Sequence, residues 1–296
     1  MQCTSGGAVP MSFPFRNKRE PLIGIRAAFL TPGAITMLLL FFVPMLIVAT
    51  YSFLSRGAYG GVMWPWTLEN YTRVFDPLYA EIFWRSIWVA ALSTLLCFVL
   101  GFPLALFIGR SASHKTLLLN LVMLPFWTSF LIRTYAWMFL LRDTGLINSG
   151  LEALHLIREP LPLLFNWEAV ILGLVYGYLP FMVLPLYATL EKLDPGLLDA
   201  AADLGARPWG VLWRVIVPLS KPGIIAGVLL VFVPCLGAYL TPDLMGGGKT
   251  VMVGSLVQNQ FTTARDWPFG AAVSLLLMTV VLVVTLSLRR SSDELL

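Results

Sequence analysis

Long apolar stretches free of charge recur along the chain. Residues 27–55, 86–109, 169–190, 222–242 and 267–288 contain no Asp, Glu, Lys or Arg, and 116–141 contains only Arg133. Each meets the roughly 20 residues that an α-helix needs to cross hydrocarbon. The pattern predicts an all-α integral membrane protein with six transmembrane helices, over about 27–53, 86–109, 116–141, 169–190, 222–242 and 268–288. Residues 1–26 form a polar, basic N-terminal tail and 291–296 a short C-terminal one. The apolar run after the first tail is too long for a signal-peptide core and is read as a retained span. Met11 is an alternative start, because residues 1–10 add nothing interpretable.

The longest polar interruption in the C-terminal half, Glu191–Gly223, has helical structure of its own. Asp194-Pro195 is a helix start, since Asp accepts from free amides and Pro suits the first helical position. Leu197 to Leu204 are mostly good helix formers, with Ala200, Ala201 and Ala202 at the centre. Gly205 suits the left-handed stop. Pro208 opens a second helix in which Trp209, Leu212, Trp213 and Ile216 recur at helical spacing. Three other long connections, roughly 54–85, 142–168 and 243–267, mix Trp, Pro, Gly and charge and are expected to hold short interfacial helices. For any single Trp among them, the aromatic belt is the favoured reading.

Composition agrees with a membrane chain. It is 58% hydrophobic and 12% charged, with mean hydropathy +0.80, where soluble domains carry about 25% charge. Of its 20 Lys and Arg, twelve fall on the inner side if the N-terminus is cytoplasmic, seven on the outer side, and Arg133 near the outer end of its span. Both termini and Glu191–Gly223 are then cytoplasmic. The same bias explains the net charge of +4 better than nucleic-acid binding does. Cys3, Cys97 and Cys235 lie far apart and His114 and His155 are isolated, which gives neither a disulfide framework nor metal-ligand spacing.

What the spans lack is also informative. Apart from Arg133 they hold no ionisable group, whereas proton- and sodium-driven carriers need intramembrane relays. A secondary carrier and a membrane enzyme are both disfavoured. Prolines 44, 103, 125, 180, 185 and 234 interrupt the spans, as suits a transporter with helices that border a cavity. Gly246-Gly247-Gly248-Lys249-Thr250 ends like a phosphate-binding loop, but Asp243 stands where the first glycine belongs and no strand precedes it. Energy must come from another subunit.

Within the polar segment, Asp199-Ala200-Ala201, three residues, Gly205, nine residues and Val215-Ile216-Val217-Pro218 resemble the EAA loop of ATP-binding-cassette (ABC) importer permeases. The departures are Asp for Glu and Val for Ile and Leu. LPFWTSFLIRTYAW (124–137), residues 173–206, PLSKPGIIAGVLLVF (218–232), PDLMGGGKTVMVG (242–254) and DWPFGAA (266–272) resemble the spermidine/putrescine-type permease family over most of 30–290. The resemblance implies a type I ABC importer permease fold. It implies a bacterial inner-membrane transmembrane domain over 27–290, with a cytoplasmic coupling loop at 191–221. It also implies a second related permease, two copies of a cytoplasmic ATPase that hold ATP and Mg, and an extracytoplasmic binding protein. This chain itself would carry no cofactor and do no catalysis. Asp199, Ala200, Ala201, Asp203 and Gly205 are the implied ATPase-docking residues. Physically, a short capped helix transmits a push, Ala200 and Ala201 permit close approach, and Asp199 can meet a basic residue.

A polyamine cargo would be met by aromatic faces and carboxylates. Trp127, Tyr135, Trp137, Tyr176, Tyr178, Tyr239 and Asp243 are the candidates near the outer half; packing or the interfacial belt is the competing role for each ring. Arg133 is a contrary signal, expected to snorkel outward or to pair with Asp143. A permease for an amino-acid-like compound or a ferric ion is the alternative within this class.

Overall fold

The computed structural model describes the backbone of residues 22–111 and 113–293 and the side chains of 31–111 and 113–287. Most of the tail expected over 1–26 and the last residues of the C-terminal tail lie outside these. The chain divides into two units, one ending at Ile47 and one starting at Val48. The first holds most of helix α1 (Leu22–Ser52), an uncharged apolar helix from Thr31 onward, with Met37, Leu40 and Phe41 exposed.

The second unit is built around three helices, α3 (Pro77–Arg110), α7 (Trp167–Leu190) and α11 (Lys221–Leu236). Along α3, Ser86, Val89, Ser93, Cys97, Gly101, Ala105 and Ile108 are buried at steps of three or four residues, which makes one packed stripe. Helix α11 turns Gly223, Gly227, Val231 and Cys235 to the same core. A Cβ on Gly223 would lie 2.8 Å from the Pro185 carbonyl oxygen, and one on Gly227 would lie 2.7 Å from Met182 Sδ. The two helix backbones therefore approach as only small residues allow, the packing mode favoured where lipid removes the hydrophobic drive. Pro180 and Pro185 sit inside α7, and Thr189 Oγ1 donates to the Pro185 carbonyl at 3.0 Å.

Around this core run α4 (Lys115–Met123), a 3-10 turn (Leu124–Trp127), α5 (Phe130–Leu141) and α14 (Trp267–Asp293). Among the described residues, four helical stretches are long and apolar enough to cross a membrane, and the number rises to six if two bent pairs are each taken as one span. The first pair is broken by 88° between Trp127 and Phe130, and the second by 69° at Ser220. The expected third span is thus two limbs: Pro125 sits in the 3-10 turn, and Thr128 is extended. The expected fifth span also stops short. Helix α11 ends at Leu236, and residues 237–239 break away before α12 (Leu240–Gly246).

Short helices fill the long connections as expected: α2 (Glu69–Val74), α6 (Leu146–Ala153), α12 and α13 (Val253–Thr262). The antiparallel hairpin of β1 (Leu54–Arg56) and β2 (Val62–Trp66) was not expected. It is tied to the entry of α14: Arg56 Nη2 donates to the Ala264 carbonyl at 2.7 Å, and the Gly61 amide donates to that of Arg265 at 3.0 Å. Its strands are short, and β2 is exposed over almost its whole length and contains Pro65, so no alternation marks it. Gly247 and Gly248 take positive φ after α12 and Thr250 Oγ1 donates to the Pro242 carbonyl at 3.4 Å, a turn rather than a helix-opening phosphate loop.

Candidate coupling segment and solute cleft

The polar segment folds as its local chemistry dictates. Helix α8 (Pro195–Asp203) starts at Asp194, whose Oδ1 accepts from the Gly196 amide at 2.9 Å, with Pro195 at the first position. It ends in a Schellman motif: the Ala206 amide donates to the Ala201 carbonyl at 3.1 Å and the Gly205 amide to that of Ala202 at 2.8 Å. Gly205 has φ +82°, and nothing lies within 4 Å of where its Cβ would be. Glycine is thus required by conformation, not by crowding. No residue of α8 is fully buried. Leu198 leans on the core and Ala201 is half-buried, whereas Asp199, Ala200, Asp203 and Gly205 are exposed. Of the two alanines expected to form a small-residue face, Ala200 is the more exposed.

After α8 the chain forms α9 (Pro208–Val211), a π turn (Leu212–Ile216) and α10 (Val217–Leu219) before the bend into α11. Pro218 has no amide to give to the Arg214 carbonyl, and a widened turn just before it accommodates that gap. Ile216 is buried against the core while Trp209 and Trp213 are exposed. At the entry to the segment, Lys115 Nζ lies 2.9 Å from Glu191 Oε1. The Tyr187 hydroxyl, and after it Lys115, hold the Glu191 carboxyl below its ordinary value.

The opposite connections are held differently. Asp266 caps α14, its Oδ1 accepting from the Phe269 amide at 3.3 Å, while its Oδ2 lies 2.8 Å from Arg73 Nη1. Asp266 is 1% exposed. Burial works against the Arg73 charge, but hydrogen bonds to Asp266 and Tyr79 outweigh it and raise that group above its ordinary value. The guanidinium also lies 4.2 Å from the centre of the Phe269 ring. DWPF carried this cap in plain sight as Asp with Pro two residues on; its ion pair spans 193 residues and left no local signal.

The aromatic candidates do not converge on one place. Tyr178 and Tyr239 meet with Phe130 and Thr241 around a cleft of about 280 Å³ at the break between α11 and α12. Trp137 and Tyr176 pack edge to face, 5.5 Å apart, near Arg133 and Thr134. Trp127, Tyr135 and Asp243 are exposed and line neither space. Arg133 neither snorkels free nor pairs with Asp143. Its guanidinium lies 4.6 Å from the Phe126 ring centre and 5.6 Å from that of Phe130, bridging the break in the third span, and its Nε and Nη1 are buried without a partner. The aromatic faces on either side of the break hold it in place of a carboxylate. A larger cavity of about 790 Å³ sets Arg142 and Lys249 against Asp143, a balance that suits an anion better than an amine. Phe130 and Thr241 were missed at the sequence level, because neither residue type signals a site without its neighbours.

Comparisons with known proteins agree with this architecture. The family model of the binding-protein-dependent transport system inner membrane component matches residues 78–293. The spermidine/putrescine transport system permease protein PotB of Escherichia coli K12 is 46% identical over 258 residues, covering 86% of this chain and 94% of the relative. The protein of the same name from Haemophilus influenzae is 44% identical over 249 residues, covering 83% and 87%. A solved bacterial alginate ABC transporter, in complex with an alginate pentasaccharide-bound periplasmic protein, superposes with a TM-score of 0.72 at 18% identity, covering 92% of this chain and 94% of that one. That likeness gives the fold, the helical architecture of an ABC importer permease. With its membrane-length helices and this extent of matching, the chain is a multi-pass member of the binding-protein-dependent transport system inner membrane component family.

Proposed function

We propose that the chain is the permease subunit of a polyamine ABC importer, carrying spermidine or putrescine across the bacterial inner membrane by ATPase-driven alternating access. The observation that carries this reading is the 46% identity, over nearly the whole of the relative, to a spermidine/putrescine permease. The residues from 27 to 290 form the transmembrane domain, with both termini and the 191–221 loop cytoplasmic. The bias of Lys and Arg supports that orientation. ATP and Mg are held by a partner ATPase, and a second permease and an extracytoplasmic binding protein complete the assembly. The periplasmic protein bound to the alginate transporter supports the last of these.

The docking surface in this reading is Asp199, Ala200, Ala201, Asp203 and Gly205. Its support is physical: α8 is capped at both ends, presents acid and small side chains outward, and is joined through the π turn and α10 to α11. A rigid element on a bent joint is suited to bias a two-state bundle. The test is reconstitution with the ATPase, second permease and binding protein in proteoliposomes. ATP-dependent uptake of labelled putrescine or spermidine is expected, with no uptake of amino acids or ferric ion. Uptake by this chain without an ATPase would sink the reading.

A further inference from the structure

The break between α11 and α12 leaves a cleft of about 280 Å³ whose surroundings are neutral yet suited to a cation. The rings of Phe130, Tyr178 and Tyr239 line it, and aromatic faces attract ammonium groups. Helix α11 ends at Gly237, beside the same space. Thr241 adds a sharper signal. It is 1% exposed and borders the cleft, yet its Oγ1 has no hydrogen-bond partner. A Cβ built on Gly173 would meet the Thr241 methyl at 2.7 Å, so the methyl side of Thr241 is already packed against α7. A buried hydroxyl left unpaired costs free energy and points to a missing partner.

We propose that this cleft is an alkylammonium subsite on the translocation path, with the Thr241 hydroxyl accepting an N–H from the cargo's ammonium while the three rings cover it. The inference rests on the polyamine reading and gives it a location. None of the residues lining the cleft is charged, so the cargo is held without an ion pair. Arg133 stays outside, on the faces of Phe126 and Phe130, and its fixed charge keeps the subsite weak. Weak holding suits transit, where a solute must leave as readily as it enters.

The test uses the complete transporter in proteoliposomes with saturating binding protein, and follows labelled putrescine and spermidine uptake alongside ATP hydrolysis. Thr241→Val keeps shape and removes the hydroxyl. Its uptake is expected to fall about 5-fold, the equivalent of one neutral hydrogen bond, while stimulated ATP hydrolysis is retained. Thr241→Ser is expected to restore uptake. Tyr239 is half exposed, so Tyr239→Leu tests a lining ring without disturbing the core, and Tyr239→Phe should behave as wild type. Uptake by Thr241→Val and Tyr239→Leu at the wild-type rate would overturn the subsite alone, as would a Thr241→Ser as impaired as the Val variant. A wild-type transporter that moves another solute and no polyamine would overturn the polyamine reading and this inference with it.

Discussion

Two aspartates begin helices in the same way and end in opposite circumstances. Asp194 caps α8 through the Gly196 amide and is exposed, and α8 buries no residue fully. Asp266 caps α14 through the Phe269 amide but is buried, and its second oxygen holds Arg73 from 193 residues away. Around it Arg56 and Gly61 add further ties between the β-hairpin and the residues before α14. One end of the second unit is fastened; the other carries a self-contained helix with little attachment. Similar local chemistry thus serves a buried latch on Arg73 in one place and, in the function proposed above, an exposed handle in the other.

The contrast breaks most visibly at the handle. Gly205→Val forces a β-branched residue to φ +82°, at about 1–2 kcal/mol, while Asp199→Arg reverses an exposed charge. Both are expected to insert and, because α8 buries no residue fully and the strain stays local, to show little change in global melting, yet to lose ATP-driven uptake in proteoliposomes. Normal uptake by either, with normal assembly, would mean that α8 does not couple. The latch should show the reverse behaviour. Asp266→Ala removes a buried counter-ion and a cap together and should cost about 3 kcal/mol of stability, read as a lower melting temperature in detergent. Asp194→Ala removes only a cap and should cost about 1 kcal/mol locally, with a partial loss of uptake and little change in global melting. Equal melting shifts for these two alanine variants would erase the distinction between handle and latch.

The smallest effect is expected at Glu191. Its pair with Lys115 is exposed, so Glu191→Gln should leave the melting temperature at neutral pH nearly unchanged. The sign of any pH dependence follows from its lowered value in the folded protein. Its contribution is present above the ordinary carboxylate range and disappears as pH falls through that lowered value. Melting curves of wild type and Glu191→Gln should therefore converge in acid. A difference that grows as the pH drops would contradict the assignment.

Much of this was legible beforehand. Charge-free windows located the apolar helices, Asp194-Pro195 and Gly205 marked both ends of α8, and Pro208 marked the start of α9. Each of these features depends on neighbours a few residues apart. The third span was expected without a break, and the turn at Pro125 and extended Thr128 bend it by 88°. Arg133 did not seek Asp143, since Phe126 and Phe130 offer aromatic faces nearby. The seven aromatic and acidic candidates were grouped by depth alone, and only Tyr178 and Tyr239 share the cleft.

Hydropathy, caps and backbone sterics act within a turn or two, so near neighbours in the chain suffice to set which stretches are apolar, where helices α8, α9 and α11 begin, and that α8 ends at a glycine. Packing between distant segments is what buries Asp266 on Arg73, brings α11 against α7 at Gly223 and Gly227, and leaves Thr241 unpaired beside Phe130, Tyr178 and Tyr239. Those outcomes depend on which groups lose water together, and residues far apart in sequence settle that only by packing.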